Sequence, residues 1–314
     1  MLNIPDHFFD EEERIGFTVS KAMKRAWAAQ LNLLSEILEV ADRHSIYVWL
    51  DFGSLLGAVR HHGYVPWDDD IDISVMRSNY LPLINYLKEE LPSYRDVLSV
   101  YTNPKFSQPK AVISTRDHLD IGNNPLDAKI TQLEFGFPCS TWIDLYPLDY
   151  VPNNDETWET IRTLYQVTHD MASGMDQLIY KGEFEEDLAE LERVTGTKIK
   201  RDENIRASLW KLADQIASMT SKRDARGVVW YYDNITKTAD HMRPLSVYSK
   251  TFWVEFELIN APIPAGYDTI LRSVYGDGYM IPIKGTALHD YPHYLGNERI
   301  ILSAGLLGQL GDIF

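Results

Sequence analysis

Four carboxylates fall within five residues at Asp68-Asp69-Asp70-Ile71-Asp72, and the run continues as Ile73-Ser74-Val75. Like charges packed that closely repel by several kcal/mol once partly removed from water, so burying them calls for cations or hydrogen bonds. Ile71, Ile73 and Val75 alternate with Asp70, Asp72 and Ser74, which predicts a core strand with every second side chain on one face. Asp70 and Asp72 then point the same way, roughly 6.5–7 Å apart along the chain, a spacing from which two carboxylates can share one or two Mg²⁺ ions. An acidic loop in solvent is the bland alternative, and the interleaved apolar residues oppose it. A calcium loop fails because Ile73 stands where the sharp turn needs Gly and Asn79 where a bidentate Glu belongs.

Paired carboxylates on a divalent ion point to phosphoryl chemistry, which needs further groups. Gly53-Ser54, at the start of an expected helix, offers close backbone approach and unpaired N–H groups to a phosphate. A third carboxylate from a neighbouring strand completes a two-metal clamp and handles the attacking hydroxyl. Asp144 is the choice, a lone charge in Thr141-Trp-Ile-Asp-Leu-Tyr146, with Asp149 as the alternative. Arg60 and Lys110 are the cations best placed for phosphate, whereas His61 and His62 read as helix-end groups. Trp67, Trp142, Tyr146, Trp253 and Tyr279 are candidates for stacking on a base or sugar.

Apolar positions from Thr18 to His44 recur at helical spacing and predict one long amphipathic helix. Ile46 to Leu50 reads as a short strand running into the Gly53 turn and a helix, and Tyr64 to Trp67 as extended because Pro66 disfavours the α region before it. A helix is expected over 79–90, irregular strands over 95–120 and a strand over 139–146. Pro147, Pro152 and the 153–155 cluster mark a boundary. From Glu156 to Ile235 the pattern is charged and helical, interrupted at Gly174, Gly182 and Gly196. The expected division is a catalytic core over 1–152, a helical lobe over 153–247 and a segment over 248–314 returning to the core.

The 314 residues carry 30 Lys+Arg against 46 Asp+Glu, a net charge of −16 that opposes sequence-independent nucleic-acid binding. One cysteine, Cys139, builds neither an intramolecular disulfide nor a thiolate zinc site, leaving oxygen-ligated metals. The acidic first fourteen residues lack a secretory pattern, and the run 300–310 is too interrupted to span a membrane. A cytoplasmic location is expected, with peripheral membrane contact left open.

The stretch from Phe52-Gly-Ser-Leu-Leu-Gly-Ala through Trp67-Asp-Asp-Asp-Ile-Asp-Ile-Ser-Val-Met-Arg77 resembles the signature of the LicD family, which includes fukutin-related proteins. The resemblance extends to Lys110, to Trp142-Ile-Asp-Leu-Tyr-Pro147 and to Tyr275-Gly-Asp-Gly-Tyr279. It implies an α+β fold, a nucleotidyltransferase-like mixed sheet flanked by helices, here extended by a helical lobe. It also implies Mg²⁺-dependent (alternatively Mn²⁺-dependent) transfer of a phosphate-linked group, such as phosphocholine or ribitol phosphate. The donor would be CDP-linked and the acceptor a hydroxyl of a glycan or glycolipid. Carried over, Asp70 and Asp72 are the metal pair, Asp144 the third carboxylate, and Gly53 with Ser54 the phosphate turn. Thr often stands at the Ser54 position in that family, and the tail here offers only Lys284, His289 and His293 where relatives are more basic. A nucleotidyltransferase moving NMP from NTP, a nucleotide-sugar glycosyltransferase and an inactive binding protein are the rivals.

Overall fold

The computed structural model describes residues 1–115, 129–137, 139–237, 241–284 and 291–294. A short hairpin, β1 (Glu12–Arg14) and β2 (Phe17–Val19), leads to Ser20, whose hydroxyl accepts the Met23 N–H at 3.2 Å and starts α1 (Lys21–Arg43). Ala22, Ala26, Leu33, Leu34 and Ile37 bury this helix on several faces. It therefore runs through the interior, and its few polar groups there find partners, Lys24 on Glu12 at 2.7 Å among them.

Next come β3 (Val48–Leu50), α2 (Phe52–His61), β4 (Ile71–Met76), α3 (Arg77–Glu90), β5 (Asp96–Leu98), β6 (Ala111–Ser114), α4 (Lys129–Phe135) and β7 (Trp142–Pro152). Helices α5 (Asp155–Ser173), α6 (Met175–Lys181), α7 (Phe184–Thr195) and α8 (Ile205–Ala217) follow. After them come β8 (Ala225–Val229), α9 (Tyr231–Thr236), β9 (Arg243–Pro244), the hairpin β10 (Thr251–Phe256) with β11 (Ile259–Pro264), and α10 (Tyr267–Tyr275). The main sheet has the order β3-β4-β7-β6-β5, with β8 added to β7 and β9 to β8. Only the β4–β7 pair is parallel in that sheet. The fold is α+β, a mixed sheet flanked by helices.

Gly174, Gly182 and Gly196 stand at the helix ends anticipated from the sequence, the last two in the left-handed conformation that glycine adopts at low cost. Two differences from the sequence reading concern strands. The strand expected over 139–146 begins at Trp142 and runs on through Pro147 to Pro152. Its edge pairs with β6 from Trp142 to Leu145 and with β8 from Asp149 onward, so Pro147 falls in a gap where no strand on that side needs its N–H. The chain after residue 153 is also not helical throughout, since β8 and β9 return to the sheet. Apolar residues of β7 and β8 consequently reach two cores: Leu148 and Val228 join the one built on α1, and Val151 and Val229 the one among α5, α7 and α8. The end of the 95–120 reading and His289 lie outside the described residues. Among the described residues no helix is long and apolar enough to cross a membrane.

Candidate active site

Parallel pairing of β4 with β7 sets Asp72 directly beside Asp144, and Asp70 just precedes β4. One carboxylate oxygen from each of Asp70, Asp72 and Asp144 lies within 4.8 Å of the others. The structure thus brings together the three acids singled out in the sequence. At an effective dielectric of about 20, each ionised pair at that separation repels by about 3 kcal/mol. Burial and the neighbouring charges of Asp70 and Asp144 push the Asp72 carboxyl well above the usual range. Asp144 is raised by burial, against the pull of Lys110. Asp68, half-buried and hydrogen-bonded to Asp70, is raised as well.

Lys110 sits directly before β6, and its ammonium donates to Asp144 Oδ2. The Tyr146 hydroxyl donates to Asp72 Oδ1 at 2.9 Å and lies 3.3 Å from Asp144 Oδ2. The other oxygen, Asp144 Oδ1, is buried with no hydrogen-bond partner among the described residues. Three clustered acids, all-oxygen donors and an unsatisfied buried carboxylate atom fit a hard divalent ion such as Mg²⁺ or Mn²⁺. Asp70, Asp72 and Asp144 are the residues that would hold it.

The acidic turn is fixed from below by α1. Trp27 Nε1 donates to the Asp68 carbonyl at 3.2 Å and Gln30 Nε2 to the Asp69 carbonyl at 2.8 Å, while Tyr64 donates to Gln30 and stacks on Trp27 at 4.4 Å. Asp69 Oδ2 accepts the His293 N–H at 2.6 Å. Ser54, in the first turn of α2, accepts the Asp72 N–H at 2.9 Å, so its hydroxyl fixes the strand that carries Asp72. Gly53 has a requirement of its own: a Cβ there would stand 2.4 Å from Asp68 Oδ2. Gly53→Ala is therefore expected to displace the Asp68 carboxylate and cost about 1–3 kcal/mol, read as a lower denaturant midpoint.

Other sequence candidates go elsewhere. Arg60 donates to the Tyr279 carbonyl at 2.7 Å and to His61, committing it to the turn after α10. Burial, aided by the Arg60 charge, lowers the His61 imidazole to about 4. Asp149, the alternative third acid, instead accepts from Arg77, which also holds Asp214 at 2.9 Å. Trp67 packs on Phe17, Trp142 packs on His293, and Trp253 is 58% exposed on β10.

Three contributors escaped the sequence reading. Asp51 caps α2 through the Phe52 N–H and pairs with buried Arg243 at 2.6 Å; an Asp before a helix start was a readable signal. Phe52 takes a φ of +42°, a left-handed conformation that costs a bulky residue about 1–3 kcal/mol, and packs on Tyr146 at 5.2 Å. Trp230, just after β8, lies 4.3 Å from Tyr146, and nothing local announced it.

Residues 45–122 match the family model described as the nucleotidyltransferase domain of LicD/FKTN/FKRP. Lipopolysaccharide cholinephosphotransferase LicD of Haemophilus influenzae is 35% identical over 78 residues, 23% of this chain and 29% of that protein. An uncharacterized protein of Rickettsia prowazekii is 35% identical over 65 residues, 21% of this chain and 23% of its own length. One of Rickettsia typhi is 34% identical over 65 residues, covering 21% and 20%. The chain thus spans less than a third of the length of these curated relatives. The matched segment carries Gly53, Ser54, Asp70, Asp72 and Lys110, while Asp144, Tyr146 and Trp230 lie beyond it.

Proposed function

We propose, from a chain whose residues 45–122 carry the LicD-type nucleotidyltransferase domain, that this protein moves a phosphate-linked group from a CDP-linked donor to a hydroxyl of a glycan or glycolipid, releasing CMP. The observation that carries the reading is the convergence of Asp70, Asp72 and Asp144 within 4.8 Å beside Lys110. The name of the Haemophilus relative, a cholinephosphotransferase acting on lipopolysaccharide, supports phosphoryl transfer to a glycan. A bound divalent ion would neutralise the diphosphate and the departing phosphate.

The chain's own groups would do the rest. Lys110 swings from Asp144 to a phosphate oxygen, which frees Asp144 to take the proton of the acceptor hydroxyl. The acceptor oxygen forms a bond to the phosphorus of the transferred group as the bond from that phosphorus to the bridging oxygen breaks. The electron pair leaves with CMP. Tyr146 holds Asp72 in place through its hydroxyl.

Phosphorus NMR on the purified chain, given CDP-choline, CDP-ribitol, nucleoside triphosphates or, separately, a nucleoside diphosphate sugar with a glycan acceptor, tests the reading. CMP appearing only with acceptor and Mg²⁺ is the expected result. Pyrophosphate from a triphosphate would favour nucleotidyl transfer instead, and a nucleoside diphosphate would favour glycosyl transfer.

The raised Asp68, Asp72 and Asp144 carboxyls also give a pH dependence. Their native values exceed the unfolded value near 3.8, so the native state binds more protons above that pH, and the ion-free protein loses stability as pH rises. Melts in chelator should give a lower Tm at pH 8 than at pH 5. Mg²⁺, which needs the ionised carboxylates, should raise Tm more at pH 8. Equal Mg²⁺ effects at the two pH values would count against ion binding at these acids.

A further inference from the structure

Strands β6 and β8 leave residues 146–148 of β7 without a partner on one edge, because β6 pairing ends at Leu145 and β8 pairing begins at Asp149. Both strands run antiparallel to β7, so the residue before β6, Lys110, and the residue after β8, Trp230, approach this gap from opposite sides. Trp230 Nε1 donates to the Pro109 carbonyl at 3.3 Å, tying the two flanks together. The gap is lined by rings: Tyr146 lies 4.3 Å from Trp230, Phe52 lies 5.2 Å from Tyr146 and 5.9 Å from Trp230, and Tyr232 lies 5.0 Å from Trp230. Phe52 and Trp230 are only partly buried, and the Tyr146 hydroxyl reaches the metal-site acids.

We propose that Phe52 and Trp230 form the shelf on which the base of the nucleotide donor stacks, with Tyr146 joining that shelf to the carboxylates that engage the diphosphate. The inference rests on the phosphotransferase reading and assigns donor specificity within it. Prior occupancy decides against the other occupant that aromatic rings attract, a quaternary ammonium head group. The Lys110 ammonium already lies 5.5 Å from the centre of the Tyr146 ring and the Arg243 guanidinium 5.3 Å from that of Phe52. Each of these cations is paired with a carboxylate, Lys110 with Asp144 and Arg243 with Asp51, so two of the rings already hold a cation in place, whereas a neutral planar ring stacks on Trp230 without competing for those positions. The φ of +42° at Phe52 fits the same role, since a bulky residue is held in a costly conformation where its ring faces this shelf.

Calorimetry with CDP and with pyrophosphate, which has no base, tests the shelf on the full chain and on Trp230→Leu and Trp230→Phe. The expected result is that Trp230→Leu weakens CDP about tenfold or more and leaves pyrophosphate unchanged, while Trp230→Phe retains most of the CDP affinity. In turnover, KM for the donor should rise with kcat nearly constant. Unchanged CDP binding by Trp230→Leu would overturn the shelf alone, as would an equal loss of CDP and pyrophosphate, which marks a structural role. Phosphocholine binding lost in Trp230→Leu with CDP intact would hand the shelf to a cation and overturn it too. Wild-type protein that binds neither CDP nor pyrophosphate would remove this proposal together with the function it rests on.

Discussion

Asp72→Asn is expected to lower transfer by about a thousandfold or more while leaving the melting temperature unchanged or raised. The rate effect follows from removing one of the three carboxylates that would hold the proposed ion, whose stabilisation of transition-state charge would be worth several kcal/mol. The stability effect has the opposite sign because the Asp72 charge is buried beside Asp70 and Asp144, and the ionised form is disfavoured there. Asn keeps the side-chain oxygen that accepts from Tyr146, so the hydrogen bond survives. Steady-state rates and thermal melts on one preparation check both halves. Turnover within a few fold of wild type would remove Asp72 from the chemistry.

The second large effect is on stability. Arg77, at the start of α3, donates to Asp149 on β7 and to both oxygens of Asp214 on α8, at 3.0 and 2.9 Å. Tyr101 also donates to Asp214 at 2.6 Å. The three charged groups are buried and tie the α5–α8 region to the sheet. Arg77→Met would strand two carboxylates and is expected to cost about 3–5 kcal/mol in denaturant melts. Burial already pushes the Asp149 carboxyl up to about 7 despite Arg77. Without the guanidinium its value rises further, so the variant should lose the most stability at high pH, where the proton must be surrendered. Replacing Arg77, Asp149 and Asp214 together by apolar residues should restore much of the loss. A single Arg77→Met variant as stable as wild type would show that the network does not hold the two cores together.

The acids were legible because their signal is local. Asp70 and Asp72 alternate with Ile71, Ile73 and Val75, and a period of two both predicts a strand and aims the carboxylates to one side. Asp144 showed as a lone charge among apolar residues, where burial without function is costly. Gly174, Gly182 and Gly196 marked helix ends through their backbone freedom. Pro147 misled, since proline ordinarily ends a strand and is tolerated here only because β7 changes partners at that point. Ser54 and Gly53 were recognised as special, yet the backbone N–H and the carboxylate they accommodate come from Asp72 and Asp68, some fifteen or more residues on.

The sequence by itself determined which acidic residues lie on or beside core strands, because alternation and hydrophobic context act over a few residues. Tertiary structure alone decided that Asp72 and Asp144 sit side by side, that Lys110 neutralises one of them, that Arg60 serves a turn, and that Phe52 and Trp230 flank the same edge of β7. Those outcomes depend on strand order and register, which are set by the packing of whole elements against one another and leave no trace in local spacing.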